Sequence, residues 1–184
     1  MISSAIARGR EEWARATLAD ALGIGICVGA FGLALTAAKL LHGLPGHAVA
    51  FWLPTLMVAR WVRPKAGSAA LTAFGGGMLF SAFPRFGPGQ ELYGYLAGAA
   101  VVELFAWRRQ PTLSVPVALT CGMAAGLAKY AARLGVSFLG LPAKWVLADV
   151  FSRPLVIHII SGAIGAMLAW LILRGAARLR RTPE

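Results

Sequence analysis

Long apolar runs alternate with short breaks that hold most of the charges and prolines, and this alternation limits the possible folds more than any other feature. Six apolar segments cover about 21–41, 46–62, 66–83, 89–107, 113–139 and 154–174. Each is near the roughly 17–25 residues that a helix needs to cross the hydrocarbon of a bilayer. The breaks carry helix punctuation: Gly43-Leu44-Pro45-Gly46, Arg63-Pro64, Gly87-Pro88-Gly89, Gln110-Pro111 and Arg153-Pro154. Only 14% of residues are charged, against about a quarter in a soluble domain. The 22 glycines would weaken helices in water, but in lipid small residues let helices approach closely. These features predict an all-α membrane protein, a bundle of six transmembrane helices.

The basic residues set an orientation. Twelve lie at one set of ends (Arg8, Arg10, Arg15, Arg60, Arg63, Lys65, Arg108, Arg109, Arg174, Arg178, Arg180 and Arg181) and five at the other (Lys39, Arg85, Arg133, Lys144 and Arg153). The richer side is expected to be cytoplasmic, which puts both termini inside a cell (inner or plasma) membrane crossed several times. Residues 1–20 hold Arg8, Arg10, Glu11, Glu12, Arg15 and Asp20 and are too polar for the apolar core of a signal peptide. They read as a cytoplasmic amphipathic segment, a short helix capped by Ser3 or Ser4 with Ile6, Trp13 and Leu18 toward the membrane surface. Residues 21–174 form the six-helix domain, and 175–184 a basic cytoplasmic tail.

The net charge of +11 would suggest nucleic acid in a soluble chain. Here it fits cytoplasmic loops against an anionic lipid bilayer, so no nucleic-acid partner is expected. Cys27 and Cys121 both lie within apolar segments and read as small packing residues. The sequence has no phosphate loop of the G-x-x-x-x-G-K-[ST] type, no H-E-x-x-H and no G-x-S-x-G. No nucleophile–base pair stands out, so neither enzyme activity nor a cofactor is expected. His42 and His47 share an outer loop. With His158 they keep a metal-ion transporter open as an alternative, although no metal site is assigned.

Polar groups inside the segments need a reason, because each costs a few kcal/mol or more in a bilayer. Glu91 lies near the outer end of the fourth segment, with Tyr95 one turn on. Gly126, Lys129, Tyr130 and Arg133 follow at i, i+3, i+4 and i+7, on one face of the outer half of the fifth. His158 falls about 6 Å below Pro154 in the sixth. Trp145 and Asp149 precede it in an outer loop, and Trp52 lies near the outer end of the second. Together these residues suggest a pocket open to the outside, with aromatic walls and a few fixed polar groups suited to a small water-soluble heterocycle. Each also has a plainer reading. Lys129 and Arg133 could snorkel to headgroups, the aromatic residues with Tyr93 could form an interfacial belt, His158 could be a satisfied core histidine, and Glu91 could be an interfacial acid paired with a neighbouring base. Glu103, near the inner boundary, reads as structural, pairing with Arg108 or Arg109 or ordering the inner helix ends.

Small residues recur at spacing four: Gly25/Gly29, Gly94/Gly98, Gly122/Gly126, Ser161/Gly165 and the stripe Ala30, Ala34, Ala38. Internal helix packing accounts for most of them, although a partner's helix could use the same motif.

Two stretches resemble a known family. One runs from Ala59-Arg60 through Arg63-Pro64-Lys65-Ala66-Gly67-Ser68-Ala69-Ala70-Leu71. The other is Gly94-Tyr95-Leu96-Ala97-Gly98-Ala99-Ala100-Val101-Val102-Glu103-Leu104-Phe105. A basic-Pro turn followed by a small-residue helix ending in Glu-Leu-Phe is similar to the substrate-binding (S) components of energy-coupling factor vitamin transporters, in the hydroxymethylpyrimidine/thiamine-like branch. The resemblance implies a six-helix, non-enzymatic subunit of an ABC-type importer that captures a vitamin or precursor at the outer face. Its implied partners are a transmembrane coupling subunit and paired ATPase subunits, and Ala30, Ala34 and Ala38 become the docking surface. It also implies that the loaded subunit topples in the membrane to release substrate inside. The contrasting expectation is a small membrane scaffold or assembly protein without substrate.

Overall fold

The computed structural model describes residues 2–40, 48–81, 91–107, 113–138 and 153–179. Among them there are six helices and no strand: α1 (Ile2–Leu40), α2 (Ala48–Val62), α3 (Ser68–Ser81), α4 (Leu92–Trp107), α5 (Val115–Phe138) and α6 (Arg153–Leu179). Three carry stretches long and apolar enough to cross a membrane, Leu18–Ala38, Val115–Gly135 and Leu155–Leu179. The other three have 15, 14 and 16 residues, or about 21–24 Å at 1.5 Å per residue.

The expected break between an N-terminal surface helix and the first apolar segment does not form. α1 continues through Asp20 into the apolar run as one 39-residue helix. Ala19-Asp20-Ala21-Leu22 contains no Pro or Gly to stop it. Ser3, Ser4, Ile6 and Trp13 lie among residues whose side chains are outside the described ones.

α2 is the hub and touches each of the other five helices. Eight of its residues are buried, from Val49 to Arg60, as expected for a helix that is apolar all round. α6 packs chiefly on α5 and α2, α4 lies against α5 and α3, and α1 covers α3 and α2. The core joins Phe31, Leu35, Trp52, Leu53, Leu56, Met57, Tyr95 and Val102. Outside it, Leu22 and Ile26 on α1, Phe74 and Met78 on α3, and Val156, Ile160, Ile164 and Leu168 on α6 are exposed. On α6 these residues form an apolar stripe at spacing four facing away from the protein, a surface suited to lipid rather than water.

Glycines make the closest helix contacts. A Cβ at Gly122 would strike the Gly162 carbonyl, one at Gly126 the His158 carbonyl, and one at Gly162 the Gly122 carbonyl. Thus α5 and α6 meet backbone to backbone, the geometry that small-xxx-small pairs permit. Gly165 does the same for α6 on α2, where a Cβ would lie 3.1 Å from the Val49 carbonyl oxygen. Gly25 and Gly29 are different: nothing lies within 4 Å of a Cβ placed at either. The Ala30, Ala34, Ala38 stripe is not evenly presented, since Ala30 is exposed, Ala34 half-buried and Ala38 buried.

The α2–α3 turn, Arg63-Pro64-Lys65-Ala66-Gly67, closes against α1. Arg63 donates from Nη1 to Asp20 Oδ1 at 2.5 Å and from Nη2 to the Ala19 carbonyl at 2.5 Å, and Lys65 also pairs with Asp20. Gly67 adopts φ +89°, a conformation that glycine takes with little cost. Ser68 Oγ then lies 2.7 Å from the Lys65 carbonyl as α3 begins.

Candidate functional site

Five of the sequence-predicted residues, Trp52, Glu91, Tyr95, Lys129 and Arg133, gather at the end of the bundle where α4 begins and α5 nears its close. Glu91 lies in the turn that opens α4, and its backbone carbonyl accepts the Tyr95 N–H. One turn on, the Tyr95 hydroxyl donates to Glu91 Oε2 at 2.8 Å. From α5, Lys129 Nζ reaches the same oxygen at 3.2 Å, and Arg133 Nη2 lies 3.4 Å from Oε1. The i, i+4 spacing of Lys129 and Arg133 puts both cations toward α4.

Aromatic residues floor this charge cluster. Lys129 Nζ lies 4.6 Å from the Tyr95 ring centroid and 5.4 Å from that of Trp52, within cation–π range of both. Trp52 and Tyr95 meet edge to face at 5.5 Å, and Phe31 of α1 joins them at 6.1 and 5.4 Å. Two glycines make room. A Cβ at Gly94 would press on the Lys129 stem at 3.0 Å, and one at Gly98 on Trp52 Cη2 at 2.6 Å. The motif that reads as helix packing is therefore also what seats the Lys129 and Trp52 side chains against α4.

The cluster has a buried floor and an open rim. The Lys129 side chain is 1% exposed, while those of Glu91 and Arg133 are 40% and 30% exposed. Trp52 is wholly buried, and its indole N–H has no hydrogen-bond partner among the described residues. Snorkelling does not describe Lys129, because its ammonium is held inside the bundle.

No protein-family model, curated protein or solved structure matches the chain.

Tyr130 and His158 form a second group. Their rings lie 5.3 Å apart between α5 and α6, and both residues are buried. The single face expected for Gly126, Lys129, Tyr130 and Arg133 is thus divided. Lys129 and Arg133 turn to α4, and Gly126 and Tyr130 to α6. The 100° rotation between successive helical residues separates positions 129 and 130 onto two neighbours. Trp145 and Asp149 lie outside the described residues, as do His42 and His47. No group of three His, Cys, Asp or Glu able to hold a metal ion occurs among the described residues.

A separate polar group occupies the opposite ends of α2 and α4. Arg60 Nε donates to Glu103 Oε2 at 2.8 Å, and the Ala69 N–H donates to Glu103 Oε1 at 2.7 Å. Glu103 therefore ties α2 to α4 and caps the first turn of α3. Its expected partners Arg108 and Arg109 lie outside the described residues. Trp52 and Arg60 are eight residues apart on α2, or about 12 Å at 1.5 Å per residue, so the two polar groups are distinct. Sequence reasoning missed Arg60 as Glu103's partner and Phe31 as the third ring. Arg60 sits in the basic set that fixes orientation, and Phe31 is one apolar residue among many.

Proposed function

We propose that this chain is a membrane-embedded binding subunit that captures a small water-soluble molecule at the Glu91–Tyr95–Lys129–Arg133 cluster, as an S component of an energy-coupling factor importer does. The observation that carries the reading is a buried ammonium, Lys129, held between two aromatic rings and a half-exposed carboxylate. Ionisable groups at such depth are costly and commonly mark a ligand or ion path. In this reading the chain spans the membrane six times with both termini in the cytoplasm, and the cluster faces outside. The distribution of basic residues supports that orientation. The resemblance at residues 59–71 and 94–105 supports the importer class, with a coupling subunit and ATPases as partners and a vitamin or its precursor as cargo. The open Gly25 and Gly29, with exposed Ala30 beside them, give α1 a surface on which a partner's helix could pack.

Calorimetry of the purified protein against a panel of water-soluble vitamins and precursors tests this. A ligand bound at micromolar affinity or better, lost on substitution of Lys129, is the expected result. Absence of any such ligand defeats the reading. Co-purification from native membranes checks the partners.

One observation favours a second reading, a scaffold without substrate: the charges of the cluster already satisfy one another. For a scaffold, replacing Glu91 and Lys129 together by apolar residues of like volume leaves function intact. For a binding subunit it abolishes function.

A further inference from the structure

The cluster is uneven in a way that bears on what it binds, and this inference rests on the binding reading above. Lys129 and Arg133 supply two cations, Trp52 supplies an N–H, and the Tyr95 hydroxyl is a further donor. Among the described residues, the Lys129, Arg133 and Tyr95 donors converge on one acceptor, the Glu91 carboxylate. Among the described residues it is the one acceptor of the Lys129 ammonium, and the Trp52 N–H has none.

Burial decides which member can yield its place. A cationic ligand would take the position of Lys129 over Trp52 and Tyr95. It would drive a side chain that is 1% exposed out of its ion pair and into apolar surroundings. Leaving a buried charge uncompensated is the most costly change such a group can suffer. An anionic ligand would displace Glu91 instead. Glu91 is 40% exposed and can turn to water, while Lys129 stays where it is and keeps a partner of opposite charge.

We propose that the ligand is a small organic acid whose carboxylate replaces that of Glu91 on Lys129. The resident group shows the shape that the site accepts. One oxygen of Glu91 serves Lys129 and Tyr95 and the other serves Arg133, so a planar two-oxygen anion meets the same donors. Glu91 is then a competitor that holds the site closed when no acid is present. Its exchange for ligand loosens the tie between the start of α4 and the end of α5.

The test is calorimetry on the unaltered full-length protein in lipid nanodiscs, using matched acid and amide pairs: nicotinate with nicotinamide, benzoate with benzamide, and biotin with its amide. Thiamine and hydroxymethylpyrimidine serve as cationic and neutral probes. At least one acid is expected to bind roughly ten- to a hundredfold more tightly than its amide, the size of a lost charge-assisted hydrogen bond. Lys129→Met loses the acid by a similar factor. Glu91→Gln binds it severalfold more tightly, because the internal competitor is uncharged. Equal binding of acids and amides overturns the proposal. Binding of thiamine alone, lost in Glu91→Gln, overturns it while leaving the importer reading intact. If no probe binds at micromolar concentration, the importer reading fails and this inference fails with it. The acid–amide comparison needs no variant, so a misfolded variant does not blunt it.

Discussion

Arg60 on α2 donates to Glu103 on α4 at 2.8 Å, and the same carboxylate receives the first-turn Ala69 N–H of α3 at 2.7 Å. Three helix ends are thereby fixed by one side chain. Glu103→Leu strands both donors, one of them a nearly buried guanidinium, and should cost about 3 kcal/mol. Arg60→Met leaves the carboxylate its N–H partner and should cost less. Thermal unfolding in one detergent would rank the two variants. A larger loss for Arg60→Met would show that the capping bond contributes little.

Lys129 and Glu91 are unequal partners, with side chains 1% and 40% exposed. Without ligand, Glu91→Leu leaves the buried ammonium dependent on aromatic faces alone and should cost about 3 kcal/mol. Lys129→Met frees a carboxylate that can reach water and should cost under about 1.5 kcal/mol, since Met can fill much of the same space. The order of the two melting temperatures checks this, and equal values would mean that Lys129 draws little from the pair.

Glycines of the same motif should differ in their response. Gly122→Ala or Gly162→Ala places a methyl against a backbone carbonyl of the facing helix, so α5 and α6 must separate, at about 1–3 kcal/mol. Gly25→Ala and Gly29→Ala meet nothing and should leave the melting temperature unchanged or slightly raised, given the better helix propensity of Ala. If α1 receives a partner, Gly25→Leu should reduce co-purification without lowering stability. Loss of stability would place Gly25 inside the fold.

Gly67 adopts φ +89° with open space around it, so Gly67→Ala tests backbone conformation alone. A cost of about 1 kcal/mol is expected, from the left-handed geometry that an L side chain disfavours. Denaturant or thermal melts of the pair would show it, and no change would mean that the turn relaxes freely.

The sequence by itself determined the material of the fold, helices with long apolar stretches. Apolar runs broken by Pro and Gly can satisfy their backbone in lipid only as helices, and each of the six runs holds a helix among the described residues. Polarity within apolar segments also marked Trp52, Glu91, Tyr95, Lys129 and Arg133, because a polar group in an apolar helix is conspicuous wherever it lies. Helix length was less legible. The run from Asp20 into Ala21 offers no stop signal and continues as α1.

Only the tertiary structure decided who meets whom. A stripe at i, i+3, i+4 and i+7 looks like one face, yet neighbours on two sides divide it, giving Lys129 to Glu91 and Tyr130 to His158. Phe31 enters the aromatic floor, and Arg60 rather than a sequence neighbour reaches Glu103, through helix contacts that no local pattern records. Burial likewise belongs to the assembled bundle. Lys129 could equally have snorkelled, until the space left by Gly94 and the carboxylate of Glu91 gave its ammonium a place inside.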